Sequence, residues 1–297
     1  NCDQAGGDAM VYHLSLPREG TDPPGANEWG YKLEKLGDGT MGHPVAPFLP
    51  DWDSAERLAP PPLREAERMA PAAAFFDACG DRYRLASLDL SGFTVYTLLR
   101  GFENSMTDFL VEPERSACLL DMIFDWECAL MRMCARHGFH GMHFADDWGT
   151  QTGLMISPAL WRRLFKPRYA RQFALARTLG LDVWFHSCGN VTELAEDFHE
   201  IGTTVLNLAQ PNVVDIESVS QRLQGRQCFL VPISYQTVSI SGTPEAIYTE
   251  ARRLFDLLGT DRGGFIGYVE EYGCMGMSAE NYAACSEAFR RLGRSFG

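Results

Sequence analysis

"LDVWFHSCGNVTELAEDFHEI", Leu181 to Ile201, decides the fold. Its first half is a short apolar run through Val183, Trp184 and Phe185. Its second half has the spacing of an amphipathic helix, predicted over Thr192–Ile201, and His186, Ser187, Cys188, Gly189 and Asn190 stand at the join. A buried strand that runs into polar residues and then into a helix is one βα unit.

The same unit recurs outward in both directions. Upstream, a helix over Leu63–Cys79 leads to the strand "RYRLASLDL", and Ser91-Gly92-Phe93 turns into a helix at Thr94. A helix over Pro113–His137 precedes "GMHFADDWG", an apolar strand that ends in two carboxylates. Ser157 as N-cap, Pro158 in the first turn and Gly180 as C′ residue predict one helix across "SPALWRRLFKPRYARQFALARTLG". Downstream, "TTVLNLAQPN", "QCFLVPISYQ" and "GFIGYVEEYGC" read as strands, separated by helices over Ile216–Leu223 and Thr243–Leu258; Ala279–Leu292 closes the chain.

Short apolar strands alternating with helices predict a parallel sheet. Polar residues follow strand after strand: Asp146 and Asp147, His186 and Cys188, Asn207 and Gln210, Tyr235 and Gln236, Glu270 and Cys274. In a (β/α)8 barrel such positions converge on one face, whereas a doubly wound sheet uses only its switch point. The expected class is therefore α/β, a (β/α)8 TIM-type barrel over residues 63–297 with an irregular N-terminal layer, residues 1–62, packed on it. That layer is dense in Gly, Pro and Asp, and Trp29, Tyr31, Val45, Phe48 and Trp52 are enough to pin it to a core. Six strands are legible, so one or two more must come from the N-terminal layer or from residues missing before Asn1, which is not a Met. The expectation is a truncated or processed N-terminus, with the barrel otherwise open or completed by a second copy as a homodimer.

The 297 residues, 45% hydrophobic, suffice for one large α/β domain or two modest ones. A net charge of −13 disfavours nucleic acid, acidic lipid surfaces and substrates rich in carboxylates. Nine scattered cysteines, mostly within apolar segments, read as reduced thiols of a cytoplasmic protein and form no disulfide framework. No run is long enough to span a membrane, and no signal-peptide pattern opens the chain.

His186 and Cys188, two apart on an extended segment, face one side and are both good zinc ligands; Cys274, after another strand, is the candidate third. The competing reading of His-x-Cys is packing. Asp146 and Asp147 are substrate-binding or proton-handling carboxylates, or else an N-cap and a salt-bridged turn; like charges so close would push one pKa upward. Asp147 and Glu270 are the candidate catalytic groups. Trp148, Asn207, Tyr235, Tyr268 and Met275 join Asp146 as candidate substrate contacts, and Glu270 or Glu271 is a candidate fourth metal ligand or a replacement for Cys274. "HGFHGMH" tempts a metal reading, but His137 ends a helix and His143 sits inside a strand, so structural roles are expected. No phosphate-cradling glycine loop and no GxSxG elbow is present.

The run from "FADDWGTQTGLM" to "HSCGNVTELAEDFHEIGTTVLNLAQ", with "GTPEAIYTEARRLFDLLG", "SAENYAACSEAFRRLG" and the upstream "NEWGYKLEKLGDGTMGHPVAPFLPDWDSAERL", resembles the uroporphyrinogen decarboxylase superfamily. The resemblance covers most of the chain and implies a (β/α)8 barrel. The decarboxylase itself uses an arginine-rich N-terminal loop, whereas here Arg18 is the one arginine before residue 50. The zinc- and corrinoid-dependent methyltransferase branch carries a His-x-Cys followed much later by a Cys, matched by His186, Cys188 and Cys274. That branch implies a zinc cofactor and a corrinoid on a partner protein; within it, "DDWGTQ" and the apolar, aromatic neighbourhood of Trp148, Trp184, Phe185, Tyr235, Tyr268, Tyr272 and Met275 favour a demethylase-like member acting on a small methyl donor of methyl ether or methylamine type. The alternatives are a metal-independent lyase, for which Arg82, Arg84, Arg100 and Arg168 are the nearest basic residues, and a non-catalytic ligand-binding barrel.

Overall fold

A computed structural model describes residues 7–18, 26–34, 42–44, 46–270 and 276–294. The chain divides into two compact units, one of Asp147–Trp161 with Val183–Gly297, the other of Ala5–Asp146 with Arg162–Asp182.

In the second of these, strands Ala9–His13, Tyr83–Ser87 and Gly141–Ala145 pair in parallel and in chain order. Ala9–His13 aligns residue for residue with Tyr83–Ser87, so the N-terminal layer supplies a seventh strand. The helix Pro113–Arg136 places Leu120, Ile123, Phe124, Leu130, Met131 and Cys134 on its inner face, all fully buried. Glu127 falls on that apolar stripe, and a buried carboxylate must find donors. Its two oxygens accept from Gly92 N at 2.7 Å and Gln172 Nε2 at 2.7 Å. Of two buried ion pairs, Arg68 with Glu28 at 2.6 Å ties the N-terminal layer to this unit, and Arg100 with Asp108 at 2.8 Å joins the helices Gly92–Arg100 and Phe102–Val111 to each other.

In the other unit, the strands Asp182–Ser187, Val205–Leu208, Cys228–Pro232 and Phe265–Tyr268 are parallel and again follow chain order. Phe185, Leu206, Leu208, Phe229 and Val231 are fully buried, as strands covered on both faces require. The helices Ile216–Leu223 and Pro244–Leu258 are capped by Asp215 and Thr243, whose side chains accept from Ser218 N at 2.9 Å and Ala246 N at 3.3 Å. The succession of parallel strands and helices is that of the (β/α)8, TIM-type fold.

The expected helix Thr192–Ile201 opens as a 3-10 turn, Thr192–Leu194, before the α-helix Ala195–Glu200, and two other expected helices are interrupted at prolines. Leu63–Cys79 is instead Glu65–Arg68 and Ala72–Cys79, because Pro71 has no N–H to continue the ladder. Ser157–Gly180 holds Pro158–Leu164 and Lys166–Leu179, with Pro167 in the first turn of the second helix, which ends on Gly180 at φ 73° as expected. Among the described residues no helix is long and apolar enough to cross a membrane.

Candidate metal centre

The strand Asp182–Ser187 carries His186 near its carboxyl end, and Cys188 follows directly. Being two apart, both side chains leave the strand on one side, and Cys188 Sγ lies 3.4 Å from His186 Nε2. Asp147 joins them: its Oδ1 is 3.3 Å from the same Nε2 and accepts from Cys188 N at 2.9 Å. One ligand atom from each of the three falls within 4.8 Å of the others, an N, S and O donor set suited to zinc.

The approach of Asp147 to Cys188 depends on two glycines. Gly149 N donates to Cys188 O at 3.1 Å, and Asn190 N donates to Thr150 O at 2.7 Å, so the two strand-end turns lie backbone on backbone. A Cβ on Gly149 would stand 2.5 Å from Asn190 N, and one on Gly189, at φ 78°, would collide with the Gly149 backbone. The glycines of "DDWG" and "HSCG" are therefore the means by which these turns touch.

Asn207 supports the imidazole from the next strand. It is the register partner of His186, is 4% exposed, and places Oδ1 2.6 Å from His186 Nδ1. Its Nδ2 donates to Leu230 O at 2.8 Å and reaches the Tyr268 hydroxyl at 3.4 Å. Beyond Cys188, Gly189 N donates to Gln210 Oε1 at 2.7 Å, and Gln210 also meets Gln151 at 3.3 Å.

The charges follow from these contacts. Burial works against ionisation of Asp147, but the hydrogen bond and charge of His186, with hydrogen bonds from Cys188, outweigh it and lower the carboxyl to about 2. Burial likewise opposes protonation of His186, and Asp147 and Cys188 overcome it, holding its pKa well above the usual value. Burial and the charges of Cys188 and Glu270 push the Tyr235 phenol up, and burial with Glu270 does the same to Tyr268, which hydrogen-bonds with Glu270.

Asp146 and Trp148 are engaged elsewhere. Asp146 is fully buried, accepting from Thr94 N at 2.7 Å and from the Tyr169 hydroxyl. One carboxyl of the pair is raised, as expected, but the cause is burial, which lifts Asp146 to about 7 against its hydrogen bonds. The Trp148 indole, expected at a substrate, is fully buried edge-on against Trp161. Cys274 and Met275 lie outside the described residues. The three histidines of "HGFHGMH" separate: His137 meets Glu65 at 2.9 Å, His140 accepts from Arg84 N at 3.2 Å, and His143 meets Ser87 Oγ at 3.0 Å.

The arginines that a lyase would need are engaged structurally. Arg82 donates to carbonyls of the Ala72–Cys79 helix, and Arg84 to Gly138 O at 3.4 Å. Arg100 is held by Asp108 and by Leu49 O at 2.6 Å, and Arg168 by Asp121 at 2.9 Å. Sequence reasoning missed the partnership of Asn207 with His186; a polar residue at the centre of the buried run "VLNL" was its signal.

Comparison with known proteins bears on the whole chain. A methyltransferase from Methanosarcina mazei superposes with a TM-score of 0.68 at 16% identity, covering 89% of this chain and 76% of that one. A chitinase from Chromobacterium violaceum superposes with a TM-score of 0.43 at 8% identity, covering 95% of this chain and 91% of that one. No sequence match is found among curated proteins. The family model of uroporphyrinogen decarboxylase (URO-D) matches residues 35–292, and the chain belongs to that family.

Proposed function

We propose that this protein is a zinc-dependent methyltransferase that moves a methyl group from a small methyl ether or methylamine to a corrinoid carried by a partner protein in the cytoplasm. The observation that carries the reading is the meeting of His186 Nε2 and Cys188 Sγ, 3.4 Å apart, at a strand end beside Asp147. Membership of the uroporphyrinogen decarboxylase family and the likeness in fold to the Methanosarcina mazei methyltransferase support it. The engagement of Arg82, Arg84, Arg100 and Arg168 in structural contacts disfavours the decarboxylase alternative.

In this reading His186 and Cys188 hold the zinc, with Cys274 the third ligand that the sequence pattern suggests. Bound there, zinc supplies Lewis acidity at the heteroatom that leaves the methyl group. The protein does the remaining work. Asn207 keeps the imidazole oriented, and Tyr235 and Tyr268 offer neutral hydroxyls that orient the donor. As the carbon–heteroatom bond breaks, the methyl passes without its bonding electrons to the acceptor, and the leaving heteroatom takes a proton. Glu270, hydrogen-bonded with Tyr268, is the group assigned to that proton.

The test is methyl transfer from simple methyl ethers and methylamines to chemically reduced cobalamin, followed by the change in its absorption. Transfer by zinc-loaded wild type, lost in Cys188→Ala, supports the reading; zinc-loaded wild type that transfers from neither class overturns it.

A further inference from the structure

We infer that Asp147 is itself a ligand of the metal, in the third position that the sequence pattern would give to Cys274, so that a carboxylate stands beside the imidazole and the thiolate of Cys188. The inference rests on the reading that His186 and Cys188 bind zinc. Three observations carry it. Asp147 Oδ1 points at the same imidazole nitrogen that Cys188 Sγ faces, at 3.3 Å against 3.4 Å, so the three donors converge on one point. The other imidazole nitrogen is already engaged by Asn207 Oδ1 at 2.6 Å. The Asn207 amide cannot reverse without putting its NH2 against that nitrogen and its oxygen against Leu230 O, which its Nδ2 now meets at 2.8 Å. Nδ1 is thus the donor to Asn207, and Nε2 is the nitrogen left for a metal.

The third observation is the backbone. Asp147 Oδ1 also accepts from Cys188 N at 2.9 Å, and the glycine-on-glycine contact between the two turns fixes that approach. The carboxylate is consequently placed before any metal arrives. An imidazole, a thiolate and a carboxylate leave one position of a tetrahedral zinc site open, as a catalytic site requires. A carboxylate gives less charge to zinc than a second thiolate does, so the ion stays a stronger Lewis acid. That favours polarising an ether oxygen or an amine nitrogen over activating a thiol as nucleophile.

The test uses the full chain, loaded with zinc for affinity by chelator competition and with Co2+ for ligand-field absorption. Asp147→Asn is expected to weaken zinc binding tenfold or more and to shift the Co2+ bands. Asn207→Ala, which removes a support but no donor, is expected to weaken binding while leaving the bands in place. Asp147→Cys keeps a donor should Asp147→Asn fold poorly, and is expected to add a second thiolate-to-cobalt charge-transfer contribution. Zinc affinity and Co2+ bands unchanged in Asp147→Asn, or no added charge transfer in Asp147→Cys, would overturn the assignment while leaving zinc at His186 and Cys188 intact. A wild type that binds no zinc would instead overturn the metal reading on which it rests.

Discussion

His186 and Asn207 are register partners on neighbouring parallel strands, and Asn207 Oδ1 lies 2.6 Å from His186 Nδ1. Because Asn207 Nδ2 donates at 2.8 Å to Leu230 O on the next strand, the orientation of its amide is fixed by the sheet itself. The side of the His186 ring that faces Asp147 and Cys188 is thereby fixed from two strands away.

Asn207→Leu removes the acceptor for His186 and leaves Leu230 O without its side-chain donor. Zinc affinity is expected to fall roughly 10–100-fold, and stability by about 1–3 kcal/mol. Chelator competition and urea unfolding of the metal-free protein measure the two effects separately.

Gly189→Ala places a Cβ at φ 78° and into the Gly149 backbone. A loss of at least about 2 kcal/mol is expected, from left-handed strain and displacement of the turn. Gly153→Ala is the control, since a Cβ there meets nothing within 4 Å. It should change stability by less than about 0.5 kcal/mol. Denaturant titration of both variants reads the difference.

Burial, reinforced by the charge of Asp146, raises the Glu127 carboxyl from 4.5 to about 8. Below pH 4.5 the folded and unfolded chains both carry this proton, and Glu127 has no effect on stability. As pH rises towards about 8, the unfolded chain ionises while the native one stays protonated, so stability falls across that window. The slope is at most about 1.4 kcal/mol per pH unit. Glu127→Gln keeps an acceptor for Gly92 N, and a reversed Gln172 amide meets its NH2. The variant should show a flatter stability profile between pH 5 and 8 than wild type, as measured by urea unfolding at several pH values.

Much of this was legible because strand ends announce themselves. The runs before Asp146, His186 and Asn207 are apolar enough to be buried strands, and the polar residues that follow mark where each strand stops. The helix Ile216–Leu223 occupies the residues expected of it, and the structure adds its cap, Asp215. What escaped was non-local or masked by composition. A further strand was expected from the N-terminal layer or from missing residues, but its place at Ala9–His13 was hidden by a Gly- and Pro-rich segment and by pairing with Tyr83–Ser87, more than 60 residues on. Asp147 was expected to act on substrate or proton; that it stands beside Cys188 depends on two turns packing through glycines, which spacing along one chain does not reveal. Trp148 looked like a pocket residue because it follows a strand, yet a large apolar ring at that position is equally suited to fill the space against Trp161.

Elemental analysis of freshly purified, chelator-free protein decides whether His186 and Cys188 hold a metal. About one zinc per chain is expected in wild type, with loss in both His186→Ala and Cys188→Ala. Wild type without zinc, or either variant retaining it in full, would contradict a metal held by these two residues.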